Sequence, residues 1–224
     1  MIPLKDKNPS RTFPFVNYLL IAANVVVFFY ELSLGKQLDG FIVKYGLISS
    51  RYFYDVEHHI HFITRYIPFF TTMFLHGGWM HIIGNMWFLF IFGDNIEDRL
   101  GHGNYLAFYL LSGLAAAVVQ LLSSVGSPVP TIGASGAISG VLGAYLVMFP
   151  RAKVVTLLPI FFLFSVIDIS AFLFIGFWFL MQFVSGLQTI GIDTSGGIAW
   201  WAHVGGFIAG ILMVPLFKKR KFAN

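Results

Sequence analysis

The stretch "TIGASGAISGVLGAYLVMF", residues 131–149, is mostly apolar, yet it carries small residues at helical spacing and a serine, Ser135, near its beginning. Its glycines and alanines recur at intervals of three and four residues, which places them along one face of a helix. Small residues on such a face let two membrane helices approach closely. The stretch therefore predicts a tightly packed helix within a bundle, and it raises the question of what Ser135 does there.

The composition around this helix is that of a membrane protein. Of the 224 residues, 57% are hydrophobic and only 11% are charged, whereas soluble domains carry about 25% charged residues. Backbone polar groups in lipid must be satisfied within the protein, and the alternating segments of a β-barrel are absent from the sequence. We expect an all-α membrane protein, a polytopic helical bundle forming a single domain over residues 1–224. The absence of cysteine excludes disulfides, thiolate metal sites and a cysteine nucleophile.

Apolar runs long enough to cross a bilayer, which takes about 20 residues, recur along the chain. The six predicted spans are residues 13–34, 80–98, 105–124, 134–149, 168–187 and 200–217. Pro150 is expected to stop the fourth span. The apolar residues 154–166 either lie along the surface or begin the fifth span, and the sequence leaves both readings open.

The distribution of positive charge predicts the orientation. An even number of spans puts both termini on one side, and most of the 14 lysine and arginine residues fall on that side. The exceptions lie in the long first loop: Lys36, Lys44, Arg51 and Arg65. The positive-inside rule then predicts a multi-pass protein of the cell membrane with a cytoplasmic segment 1–12 and a basic cytoplasmic tail 218–224. That tail suits anionic lipid headgroups rather than nucleic acid.

Two histidines are expected at the depth of Ser135. His81 and His203 lie in the first turns of the second and sixth spans, which begin on the same side as the fourth. Ionisable residues inside a membrane helix are costly and mark functional sites. A neutral imidazole within hydrogen-bond reach of the serine would take its proton and make it a nucleophile.

Small residues also favour contact between the fourth and sixth helices. Gly206 and Gly210 follow His203 in a G-x-x-x-G pattern, which suits close packing against Gly136 and its neighbours. No carboxylate is directed at His203 by the sequence, since Asp168 falls near the cytoplasmic end of the fifth span and nothing aims Glu31. We therefore predict a serine–histidine dyad whose histidine is oriented by packing.

Acyl transfer also needs hydrogen-bond donors for the oxyanion. His81 and Asn85 stand at positions i and i+4, on one face of the second span. The backbone N–H of Ser135, free at the start of a helix, would add a third donor.

The motifs "HGGWMHIIGNMWFLFIFGDNIEDRLG", "GASG" and "AHVGGFIAG", in this order, closely resemble the rhomboid intramembrane serine proteases, of the prokaryotic type with a six-helix core. The resemblance covers nearly all of residues 13–217. It implies that Ser135 is the nucleophile, that His203 is the general base, and that His81 and Asn85 form the pair on the oxyanion side. The supporting positions it implies are His76 upstream of the motif, Gly133 and Gly136 around the serine, an ion pair of Glu97 and Arg99, and the packing glycines Gly206 and Gly210. Ser139 departs from the pattern, because some members have an aromatic residue there that stacks on the histidine.

The implied activity is serine endopeptidase cleavage of single membrane-spanning substrate helices near the outer face. The fifth helix and the loop of residues 188–199 would form the entrance and lid, and no cofactor or metal is implied. The alternatives are a catalytically silent relative that binds membrane helices, or a small transporter. Ser139 remains an alternative nucleophile, and the outer-loop histidines His58, His59 and His61 either bind a metal weakly or are solvated. The sequence indicates neither the substrate nor the oligomeric state.

Overall fold

The computed structural model describes residues 1–60, 62–160, 163–189 and 198–217. The described residues form helices α1 (Phe15–Ser33), α2 (Leu38–Tyr45), α3 (Ser49–Glu57), α4 (Phe62–Thr71), α5 (Trp79–Leu100), α6 (His102–Ser123), α7 (Ser135–Met148), α8 (Ala171–Gln188) and α9 (Trp200–Phe217). Short 3₁₀ turns at Gly35–Gln37 and Thr72–Phe74 join them, and the strands are β1 (Ile2–Asp6), β2 (Lys153–Ile160) and β3 (Leu163–Ser170). His61, residues 190–197 at the centre of the expected lid loop, and the basic tail 218–224 lie outside the described residues.

The helical bundle expected from the sequence is confirmed. Helices α1, α5, α6, α7, α8 and α9 correspond in order to the predicted spans. Within the described chain, α1, α6, α8 and α9 are long and apolar enough to cross a membrane. Helix α7 is apolar but has only 14 residues, a rise of about 21 Å against about 30 Å of hydrocarbon. The 22-residue α5 ends in a charged turn. The chain is thus a polytopic membrane protein. The remaining two of the six helices, α5 and α7, do not meet the length and hydropathy expected of a membrane span.

Helix α7 lies at the centre of the bundle. Every residue from Gly136 to Tyr145 is buried. A β-carbon at Gly206 of α9 would overlap the carbonyl oxygen of Gly136, and one at Gly210 would overlap that of Gly140. Helices α7 and α9 therefore touch backbone to backbone, which only residues without side chains permit.

The described part of the apolar run 154–166, for which the sequence left two readings open, lies in strands β2 and β3, which pair antiparallel. Strand β2 pairs antiparallel with both β1 and β3, so the sheet order is β1-β2-β3. The β-branched residues in the run suit strands. The fifth helix begins only at Ala171, where the side chain of Ser170 accepts the N–H of Leu173. Of the two readings left open, the one in which the run begins the fifth span is therefore wrong.

Asp168 also differs from its expected place at the end of the fifth helix. It lies in β3, and its carboxylate is 2.6 Å from Lys7 Nζ. This ion pair and the β1–β2 ladder tie residues 2–7 to strands β2 and β3. The N-terminal segment, expected to be a short cytoplasmic segment, is thus paired with β2. Phe217 lies at the same end of the bundle, where its carbonyl accepts the side-chain N–H of Asn104.

Glu97 has partners other than the expected Arg99. Its fully buried carboxylate accepts the backbone N–H groups of Val16 at 2.9 Å and Asn17 at 2.7 Å, and it also pairs with His102. Residues two apart on a helix point in different directions, and Arg99 instead places its guanidinium over the Phe149 ring. The ion pair implied by the resemblance is therefore corrected: Glu97 caps the start of α1.

Candidate active site

Ser135 and His203 meet at one end of the bundle, where α5, α7 and α9 begin. Ser135 is the first residue of α7 and His203 lies in the first turn of α9. The Ser135 hydroxyl is 2.8 Å from His203 Nε2. The glycine contacts between α7 and α9 hold the two backbones close enough for this hydrogen bond, so one packing feature creates the pair.

His203 has a second partner that the sequence did not single out. Its Nδ1 lies 2.7 Å from Oε1 of Gln182 on α8, and the Gln182 side chain is buried. The available signal was a single amide within the apolar stretch "GFWFLMQFV", but nothing local indicated that it faces α9. Glu31, the carboxylate at the matching depth, instead accepts the backbone N–H of His76 at 3.2–3.3 Å.

Aromatic rings enclose the other faces of His203. The ring of Trp178 on α8 lies 5.9 Å away at 36°, and Trp200 meets it edge-on at 6.2 Å. Some members of the family that the sequence resembles have a stacking aromatic residue at the position of Ser139. Ser139 itself is fully buried and donates its hydroxyl to the carbonyl of Ser135 at 2.6 Å. The Trp178 ring thus contacts the His203 ring, and the Ser139 hydroxyl is engaged within its own helix.

His81 presents one ring nitrogen to the peptide that leads into Ser135. The N–H of Gly77 lies 3.3 Å from His81 Nδ1 and can only donate, so a neutral His81 carries its proton on Nε2. A β-carbon at Gly133 would lie 2.6 Å from that Nε2. Gly133 has φ +124°, so both its backbone conformation and the nearness of the imidazole require glycine.

Asn85 supplies a second donor. Its side chain is buried, lines the same cavity as Ser135, and its Nδ2 has no hydrogen-bond partner among the described residues. Buried amides are normally paired, so an unpaired one in a cavity suggests a donor reserved for a ligand. The backbone N–H of Ser135, at the first position of α7, lacks an acceptor one helical turn before it.

His76 packs against His81. It is buried, its N–H is bound to Glu31, and its ring meets that of His81 at 5.1 Å in an edge-on arrangement. His76 thus contacts His81 but is not among the residues that line the cavity with Ser135.

One cavity of about 860 Å³ is lined by Ser135, His203, His81 and Asn85. Its walls come from α5, α6, α7, α8, α9 and the loop before α7, and its polar lining includes Gln120, Ser124, Ser127 and Thr131. Phe88 of α5 and Trp178 of α8 close one side, with ring centroids 6.5 Å apart. A serine hydroxyl, a histidine imidazole, unpaired N–H donors and room for a peptide segment therefore share one space.

Of the outer-loop histidines, His58 and His59 are not among the residues that line this cavity. His58 stacks on Tyr54 at 4.0 Å, and its Nδ1 lies 2.9 Å from that residue's carbonyl oxygen. Within the residues that the structure describes, no group of three or more metal-ligating side chains occurs.

Comparison with known proteins agrees with this geometry. The model of the Rhomboid domain family matches residues 64–220. The chain is 29% identical over 206 residues to the yeast (Saccharomyces cerevisiae) Rhomboid protein 1, mitochondrial, covering 87% of this chain and 51% of that protein. It is 32% identical over 134 residues to Rhomboid protease GluP of Bacillus subtilis, covering 59% of this chain and 24% of that protein. The chain is 30% identical over 158 residues to Presenilin-associated rhomboid-like protein A, mitochondrial, of Danio rerio, covering 66% of this chain and 37% of that protein. The matched regions thus span from about a quarter to about half of these relatives.

Proposed function

Because the chain belongs to the rhomboid family, we propose that it is an intramembrane serine endopeptidase that cleaves single membrane-spanning helices. The observation that carries this proposal is the 2.8 Å contact between Ser135 Oγ and His203 Nε2 within a membrane bundle. In this proposal the whole chain forms one rhomboid-like domain in the cell membrane, with both termini in the cytoplasm. The excess of lysine and arginine on the side of the termini supports that orientation.

The first half of the reaction forms an acyl-enzyme. His203 takes the Ser135 proton as the oxygen attacks the substrate carbonyl carbon, and the carbonyl oxygen becomes an oxyanion. The N–H groups of His81, Asn85 and the Ser135 backbone stabilise that charge. When the intermediate collapses, the C–N bond breaks and His203 gives its proton to the leaving amine.

Water completes the cycle. A water molecule gives its proton to His203 while its oxygen attacks the ester carbonyl, and the second tetrahedral intermediate expels Ser135 with the proton returned to its oxygen. The polar loop before α7, including Ser127 and Thr131, lines the cavity and supports a water path to the ester.

Substrate entry is proposed between α5 and α8, where the rings of Phe88 and Trp178 separate the cavity from lipid. The substrate must unwind locally, since a stable helix hides its amides in its own hydrogen bonds. Helices with small or helix-destabilising residues near the outer end are therefore the expected substrates. The lid proposed for residues 188–199 falls largely outside the described residues.

A fluorescent fluorophosphonate tests the proposal without a known substrate. We expect it to label the wild type in detergent and in lipid, to label Ser139→Ala equally, and to leave Ser135→Ala and His203→Ala unlabelled. Failure to label a folded wild type in both environments would reject the protease and favour a relative that only binds helices. Labelling that survives Ser135→Ala but is lost in Ser139→Ala would move the nucleophile to Ser139.

A further inference from the structure

Gln182 is a buried amide on a helix that is otherwise apolar around it. It lies near the middle of the sequence of α8, and its side chain is only 8% exposed. Burying a side-chain amide without hydrogen bonds is unfavourable, because the amide loses its hydration. Its two polar contacts, with His203 and with the backbone of Trp178, therefore account for its presence in the bundle.

The contact with Trp178 decides which end of the amide faces the histidine. Gln182 Nε2 lies 3.3 Å from the carbonyl oxygen of Trp178. A carbonyl oxygen only accepts, so the amide nitrogen must point to it and the amide oxygen must point away. The amide oxygen is the atom found 2.7 Å from His203 Nδ1.

The amide oxygen in turn decides where the proton sits on the imidazole. Oε1 of Gln182 only accepts, so His203 Nδ1 must carry hydrogen. In a neutral imidazole the other nitrogen, Nε2, then has a free lone pair. That lone pair faces the Ser135 hydroxyl at 2.8 Å. The opposite tautomer would point an N–H at the serine and could not take its proton.

We propose that Gln182 is a positioning residue that fixes the proton-accepting tautomer and the ring orientation of His203. The inference rests on the proposed function, since it gives His203 the task of a general base. Gln182 then does with a neutral amide what a carboxylate does in serine proteases of the Ser-His-Asp type. The chain of donors runs in one direction, from Ser135 to His203 to Gln182 to the Trp178 carbonyl.

Two substitutions separate this task from simple packing. Gln182→Met keeps the length and approximate volume of the side chain but removes the acceptor. Gln182→Glu keeps an acceptor oxygen at the same distance from the backbone. Gln37→Met, at an exposed position in the 3₁₀ turn before α2, is the matched control.

Nitrogen-15 NMR of histidine-labelled protein in nanodiscs reads the tautomer directly, without any substrate. We expect His203 to carry its proton on Nδ1 in the wild type, in Gln182→Glu and in the Gln37→Met control. In Gln182→Met we expect both tautomers. A wild type with the proton on Nε2, or a Gln182→Met protein that stays entirely protonated on Nδ1, would overturn the proposal.

Kinetics provide the second readout. With a fluorogenic transmembrane peptide, Gln182→Met should lower kcat about 10- to 100-fold with little change in KM, which is no more than the lower end of the roughly 10²–10⁴-fold that a positioned base contributes. Gln182→Glu should recover most of this loss. Equal kcat in Gln182→Met and wild type would overturn the proposal. A wild type that neither cleaves nor reacts with fluorophosphonate would reject the proposed function, while the NMR result would still decide whether Gln182 holds His203.

Discussion

Gly206 of α9 lies so close to Gly136 of α7 that a β-carbon on Gly206 would overlap the Gly136 carbonyl oxygen. Gly206 lies one helical turn after His203, and Gly136 is the residue after Ser135. Their contact therefore sets the distance between the side chains of His203 and Ser135. The nucleophile and the base are thus brought together by two residues that have no side chains.

The first prediction follows from that contact. Gly206→Ala should push α9 away from α7, lengthen the distance between Ser135 Oγ and His203 Nε2, and lower the rate of fluorophosphonate labelling at least 10-fold. It should also destabilise the protein by about 1–3 kcal/mol, as overpacking does. Gly176→Ala on α8 is the control, because nothing lies within 4 Å of its β-carbon position. Equal labelling rates for the two variants would show that the helix separation does not depend on Gly206.

Asn85 gives a prediction in which stability and activity move apart. Asn85→Leu removes a buried donor that has no partner among the described residues, so the thermal midpoint should stay level or rise. Loss of an oxyanion donor should lower kcat about 10²–10³-fold with little change in KM. The measurements are thermal unfolding in detergent and peptide cleavage.

The buried asparagine Asn17 of α1 provides the comparison for Asn85. Its side-chain N–H donates to the Leu89 carbonyl and its side-chain oxygen accepts the Tyr105 hydroxyl, so Asn17→Leu should lower stability and leave kcat close to that of the wild type. If Asn85→Leu behaves like Asn17→Leu, Asn85 is a structural residue and not an oxyanion donor.

Asp6 predicts a pH dependence of stability. Burial raises the pKa of its carboxyl from 3.8 to about 6, with a further increase from nearby Asp94 and a partial offset from the Tyr145 hydroxyl. The folded state therefore binds this proton more tightly than the unfolded chain does. The stabilisation is complete below pH 4 and is lost as the pH rises through about 6.

The test compares unfolding midpoints of the wild type and Asp6→Asn between pH 4 and pH 7. Asparagine keeps an acceptor for the Tyr145 hydroxyl, which lies 2.5 Å from Asp6, but it does not titrate. The wild type should therefore lose stability relative to Asp6→Asn as the pH rises through about 6. A constant difference between the two proteins would contradict the raised pKa.

Glu97 should couple to His102 and not to Arg99. Glu97→Ala strands the N–H groups of Val16 and Asn17 and should cost about 1–3 kcal/mol of unfolding free energy. Double-mutant cycles should give an interaction energy above about 0.5 kcal/mol for Glu97 with His102, and a value near zero for Glu97 with Arg99. A larger coupling to Arg99 than to His102 would restore the ion pair inferred from the motif.

The sequence predicted those features that a local pattern encodes. The helices of the bundle follow from long apolar runs, and Ser135, His203, His81 and Asn85 were selected by spacing and common depth. The geometry brings these four around one cavity. Small residues likewise indicated the face of α7 that meets α9.

The features that the sequence did not predict depend on partners far along the chain. Strand β2 pairs with residues 2–6, about 150 residues earlier, and an apolar run alone does not distinguish a strand from a helix. Gln182 looked unremarkable because α8 is apolar on all sides, so no pattern fixes which face meets His203. Glu97 was matched with a charge nearby in sequence, although its partners are the amides that begin α1.

In the proposed reaction, the length of α7 would determine how deep in the membrane Ser135 lies. Its 14 residues rise about 21 Å, roughly 9 Å less than the hydrocarbon thickness of a bilayer. With the far end of α7 at the opposite lipid boundary, the serine at its start sits below the lipid surface on its own side. The position of the cut along a substrate would then be set by depth, measured inward from the membrane surface, before any side chain of the substrate is recognised.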